Sequence, residues 1–193
     1  RHSFPTRRSS DLDEEYYWCL LVSQTESDIS KFQRQQLSKL TGVVEPPIDD
    51  LSSLEDVRVP GSGKWLVSNE VYVSWKTEQA AKRRIFCLTA KPGSGKSVLS
   101  SYVINDLQER KLRCSYYFFR HRNATKSKIS GCLRSLAYQM ASSDNAILQR
   151  LCDLQQEYAS WEQWDEKMIW RKLFLGCIFK ERSSVLQFWV IDA

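Results

Sequence analysis

The sequence predicts an α/β fold in which a parallel sheet, incomplete in this chain, carries helices on its faces and follows a helical leader. Two observations predict it. Apolar runs at Ile85–Thr89, Cys114–Phe119 and Val185–Ile191 alternate with segments whose apolar residues recur at helical spacing. The first of these runs leads straight into a glycine-rich loop and then a helix. With 193 residues, 42% of them hydrophobic and 26% charged, the chain is long enough for one packed domain plus extra segments.

The elements follow in order. Residues 2–12 read as the translation of a sequencing adaptor, so residues 1–12 are set apart from the fold. Residues 13–55 form a leader, with one helix expected over Ile29–Leu40. The stretch from Glu45 to Gly63 is loop-rich, after which Trp65, Leu66, Val71, Tyr72 and Trp75 give a short amphipathic segment. Ile85–Thr89 reads as a strand buried on both faces. Val98, Leu99, Tyr102, Val103, Ile104 and Leu107 mark the helix after the loop, and Cys114–Phe119 is an aromatic second strand. Ile129, Cys132, Leu133, Leu136 and Met140 share one helical face, as do Ile147, Leu151, Leu154 and Tyr158. Ser160 and Gln163 suggest a capping box ahead of a long helix through Ile178, and Val185–Ile191 is the third strand. The absence of proline after Pro92 agrees with a second half built mostly of regular elements.

The chemistry is concentrated in Ala90-Lys-Pro-Gly-Ser-Gly-Lys-Ser97, a phosphate-binding loop of the form A-x-x-x-x-G-K-S between a strand and a helix. Gly93 and Gly95 let the backbone curl so that its N–H groups point inward at phosphates, and the helix N-terminus adds partial positive charge. Ala90, Pro92 and Ser94 complete the loop, with Ala90 standing where the strict pattern has glycine. Lys96 reaches the β- and γ-phosphates, and the Ser97 hydroxyl binds Mg²⁺. Asp192, closing the third strand, is the expected second metal ligand. The expected ligands are therefore ATP or ADP, with GTP also possible, and Mg²⁺. No residue is singled out as catalytic.

Other features are read more plainly. A second Gly-Ser-Gly-Lys at 61–64 follows a proline and no strand, so it is a turn. His121, among Arg120, Arg122, Lys126 and Lys128, belongs to a solvated loop. Trp161, Trp164 and Trp170 are packing residues. The six cysteines are never closer than 18 positions, which excludes a C-x-x-C site and suits reduced thiols in the cytoplasm. The net charge of +5 falls to +3 without residues 1–12, too little to argue for nucleic acid. No apolar run exceeds seven residues, against the roughly 18 a spanning helix needs, so no membrane partner is expected.

The ordered set of motifs resembles the NACHT-type STAND nucleoside triphosphatases, especially the large fungal proteins with ankyrin or WD40 repeats. The pieces are Val59–Val67 with Trp75, Lys91–Ser97, Tyr116–Phe119, Leu133–Gln139 and Trp189–Ala193. The resemblance covers residues 56–193 and implies the N-terminal part of a three-layer P-loop NTPase domain, with Asp192 opening a Walker B motif. It also implies a later strand lying between the Walker A and Walker B strands. Activity by this analogy is that of a signal-transduction switch, an NTPase at full length that self-associates, with this fragment inactive. A turnover P-loop ATPase or kinase, and a non-hydrolysing nucleotide-binding scaffold, are the alternatives.

Overall fold

A computed structural model of the chain describes residues 35, 37–39, 41–43, 47–77, 85–158, 163–180 and 186–193. Residues 1–12, most of the leader, Trp161 and the Ser160 end of the expected capping box lie outside these. Two strands, Arg113–Phe118 (β1) and Gln187–Asp192 (β2), pair in parallel with Arg113 opposite Gln187 and Phe118 opposite Asp192. Side chains alternate between the two faces. Tyr116, Phe118, Phe188 and Val190 meet one layer of helices, while Tyr117, Phe119 and Trp189 meet the other. The result is a mostly helical α/β arrangement around a small parallel sheet.

On the first face the helix Lys96–Glu109 (α4) buries Val103, Ile104 and Leu107 against the sheet. Three shorter helices pack around it: Ile48–Asp56 (α1), Lys64–Val67 (α2) and Glu70–Thr77 (α3). Leu51 of α1 joins Ile104 and Tyr116, whereas Leu66 of α2 and Tyr72 of α3 join Leu107 and Phe188. Three polar side chains converge on Asp106 to bind α3 to α4. Tyr72 donates from its hydroxyl at 2.7 Å, Lys76 from Nζ at 2.6 Å, and Arg110 from Nε at 2.9 Å. Burial pushes the Asp106 carboxyl up, but the hydrogen bonds from Lys76, Tyr72 and Arg110 outweigh it and hold the group below its ordinary value. The Tyr72 phenol is raised far above its ordinary range, by burial first and then by the adjacent Asp106. This is a buried, fully partnered polar knot.

The opposite face carries Ile129–Ser143 (α5) and Asn145–Glu157 (α6). Between them Asp144 caps α6 by accepting from the N–H groups of Ala146 and Ile147, and also pairs with Arg113 at 2.6 Å. Expected as one long α-helix, the next segment begins instead with a short helix, Glu166–Met168 (α7), capped by Asp165, which accepts from the Met168 N–H at 2.8 Å. It continues as a π-helix over Ile169–Leu175 and a 3₁₀ turn over Ile178–Lys180. The wider π turn still directs Ile169, Leu173 and Phe174 inward, each at most 1% exposed. Trp170, Phe174, Phe179 and Trp189 form a ring cluster, as the packing reading of Trp170 anticipated.

One expected strand is corrected. Residues 85–90 have no regular secondary structure and belong to no sheet, and Ile85 is 85% exposed rather than buried. A strand needs a neighbour to accept and donate along its backbone. Among the described residues none pairs with it. The two outer edges of the sheet also differ. On the outer edge of β1 the Gln139 carboxamide accepts from the Tyr116 N–H at 2.9 Å and donates to its carbonyl at 2.8 Å. A side chain of α5 thus closes that edge. β2 instead borders a cavity of about 400 Å³ that residues 86–90 also line. No helix among the described residues is long and apolar enough to cross a membrane.

Candidate functional site

The loop from Ala90 to Ser97 is the most exposed stretch at this end of the sheet. Every residue from Cys87 to Gly95 is exposed. Ala90 precedes a turn at Pro92 and Gly93, and the Ser94 N–H returns to the Lys91 carbonyl at 3.3 Å. Gly93 and Gly95 have φ of +75° and +82°, in the left-handed region that disfavours side chains. Nothing lies within 4 Å of where a Cβ would sit on either glycine, so the backbone there is open to a ligand.

Helix α4 begins directly after Gly95, with no side chain capping its first amides and no acidic residue in its first turn. Those amides are the orphan donors of a helix end, and their partial positive charge is not offset locally. Lys96 bends back over the loop, its Nζ donating to the carbonyls of Ala90 at 3.1 Å and Lys91 at 3.0 Å. The ammonium is therefore held inside the curl of the loop. Ser97 occupies the first turn of α4 and is half-buried.

Asp192 lies at the carboxyl end of β2, fixed by its carbonyl, which accepts from the Phe119 N–H at 2.8 Å. Its Oδ1 faces Ser100 Oγ of α4 at 3.4 Å. Ser100 is one helical turn beyond Ser97. Strand end and loop helix thus meet at one edge of the sheet, and Lys96, Ser100 and Asp192 line the same cavity as Trp75, Phe86 and Val190. Among the described residues the partner of β2 is β1, and the run at 85–89, expected to lie parallel to β2 either beside it or one strand further away, joins no sheet.

The second glycine loop is a turn, with positive φ at Gly61 and Gly63. A Cβ on Gly63 would sit 3.1 Å from the Tyr102 ring, so the glycine allows this turn to press against α4. His121 and Arg122 lie in an exposed loop, while the neighbouring Arg120 and Lys126 reach Asp50 of α1 at 3.3 and 2.8 Å. Among the described residues no three His, Cys, Asp or Glu side chains cluster to hold a metal ion. Cys87, Cys114, Cys132 and Cys152 are in no disulfide, and burial pushes the Cys114 and Cys132 thiols up to about 12, which makes them inert. Sequence reasoning missed Ser100 and Gln139. Ser100 was findable from its i+3 spacing to Ser97, whereas the bonds of Gln139 to a strand edge depend on tertiary packing.

No curated protein and no solved structure matches the chain. A family model described as nephrocystin 3, N-terminal, matches residues 61–193, from the second glycine loop through both strands. This corrects the family name drawn from the motifs, since the match is to this family and not to NACHT. The chain belongs to the nephrocystin 3, N-terminal family.

Proposed function

We propose that the chain is the nucleotide-binding module of a signal-transduction switch and holds ATP or ADP with Mg²⁺ through residues 90–97. GTP is the second candidate ligand. One observation carries the reading: an uncapped helix N-terminus follows a loop with two left-handed glycines, and Lys96 is folded inside that loop. In this reading the amides of Gly93 to Ser97 donate to phosphate oxygens. Lys96 exchanges its two carbonyl acceptors for the β- and γ-phosphates. Ser97 and Asp192 are the residues that would hold Mg²⁺, which offsets phosphate charge when bound.

The finer fold proposed is the three-layer P-loop NTPase sandwich. Its support is the parallel pairing of β1 with β2 between two layers of helices, with a cavity lined both by β2 and by residues 86–90. Asp192 and Lys96 are the charged side chains among the described residues lining the cavity, one suited to a metal ion and the other to phosphate.

Calorimetric titration of Mg·ATP and Mg·ADP into the chain and its Lys96→Ala variant tests the proposal. Loss of the charge-assisted bonds should weaken binding about ten- to a hundredfold. Equal affinity in the two proteins would overturn the assignment.

A further inference from the structure

We propose that Ser100 is a positioning residue for Asp192, setting the carboxylate that serves Mg²⁺; the inference rests on the nucleotide-binding reading above. Asp192 is pinned through its main-chain carbonyl, which accepts from the Phe119 N–H just past β1. Ser100 Oγ donates to Oδ1 at 3.4 Å, and Oδ2 has no hydrogen-bond partner among the described residues. One oxygen is thereby tethered and the other left for a cation. The spacing of Ser97 and Ser100 puts their hydroxyls on one face of α4, one turn apart. Ser97, one proposed ligand, and Ser100, the donor that orients the other ligand Asp192, thus come from the same helix.

The neighbouring hydroxyl behaves differently. Ser101 is fully buried and donates to the Val98 carbonyl of its own helix at 2.8 Å, a satisfied structural bond. Ser100 instead reaches across to another element. Its contact is longer than the roughly 2.5–3.0 Å of a full-strength hydroxyl bond, so it orients the carboxylate without locking it. Partners that orient metal ligands in this way change metal affinity when removed.

The test measures binding of the non-hydrolysable ATP analogue AMP-PNP with Mg²⁺ and with EDTA, and takes the ratio of the two affinities. Ser100→Ala should lower that ratio about three- to tenfold, and Ser100→Thr, which keeps a hydroxyl, should restore it. In an Asp192→Asn background Ser100→Ala should lower the ratio no further, because the two act as one unit. An equal loss with and without Mg²⁺, an unchanged ratio, or additive losses in the double variant would each overturn the role of Ser100. A wild-type chain that binds no AMP-PNP removes the nucleotide reading itself. A chain that binds it with a ratio insensitive to Ser100→Ala removes only this inference.

Discussion

Leu136, Ala137, Ile169, Leu173 and Phe174 are at most 1% exposed, whereas every residue from Cys87 to Gly95 is exposed. The first group joins α5 and the π-helical segment into one apolar cluster under Tyr117. The second is held by a few backbone and lysine bonds and by the helix that follows it. Apolar burial stabilises the one region, so its side chains are constrained by volume. In the other, under the proposed nucleotide-binding reading, the backbone amides are the working groups, and side chains near them would only obstruct. Stability and binding should therefore respond to different substitutions.

The largest effect belongs to the closed region. Phe174→Ala removes a ring that is 0% exposed, stacks with Trp170 and meets Trp189 edge-to-face, and should cost about 3–5 kcal/mol in urea unfolding. A loss below about 1 kcal/mol would show that this cluster does not carry the fold. Next is the polar knot of α3 and α4. Lys76→Met leaves Asp106 without its shortest bond and should cost about 1.5–3 kcal/mol.

The same carboxylate gives a pH signature. Because the folded Asp106 titrates below its ordinary value of 3.8, its contribution is present above that pH and fades as the pH falls through the lower folded value. Stability followed from pH 7 to pH 2 should drop in this window, and Asp106→Asn should flatten part of the drop. An identical acid limb in the variant would contradict the assignment.

Much of the closed region was legible in the sequence. The aromatic run at 114–119 and the apolar spacing at 129–140 and 147–158 mark elements that bury one face, and β1, α5 and α6 lie there. The run at 85–89 was misread because apolar composition reports a preference for burial, while strand formation also needs a partner edge. The π-helix escaped because Ile169, Leu173, Phe174, Cys177 and Ile178 give nearly the same inward stripe at either helical pitch. At the site, the loop was legible from local glycine and lysine spacing. The approach of Asp192 to Ser100 was not, since it joins residues 92 positions apart.

Two smaller effects sharpen the contrast at the loop. Gly95→Ala places a Cβ at φ +82°, where strain of about 1–2 kcal/mol is expected although no neighbour is struck. Nucleotide affinity should fall with it, and a thermal melt equal to wild type would argue against a left-handed Gly95. Lys96→Ala should change stability by less than about 0.5 kcal/mol while weakening nucleotide, since its bonds lie on an exposed loop. A large drop in unfolding free energy would make Lys96 a structural residue instead.

If the backbone amides opening α4 hold phosphate, amide hydrogen exchange with and without Mg·ADP will register it. New protection is expected at Gly93 to Ser97, with little change across α5 and the π-helical segment. Saturating Mg·ADP that leaves the exchange of those loop amides unaltered would contradict it.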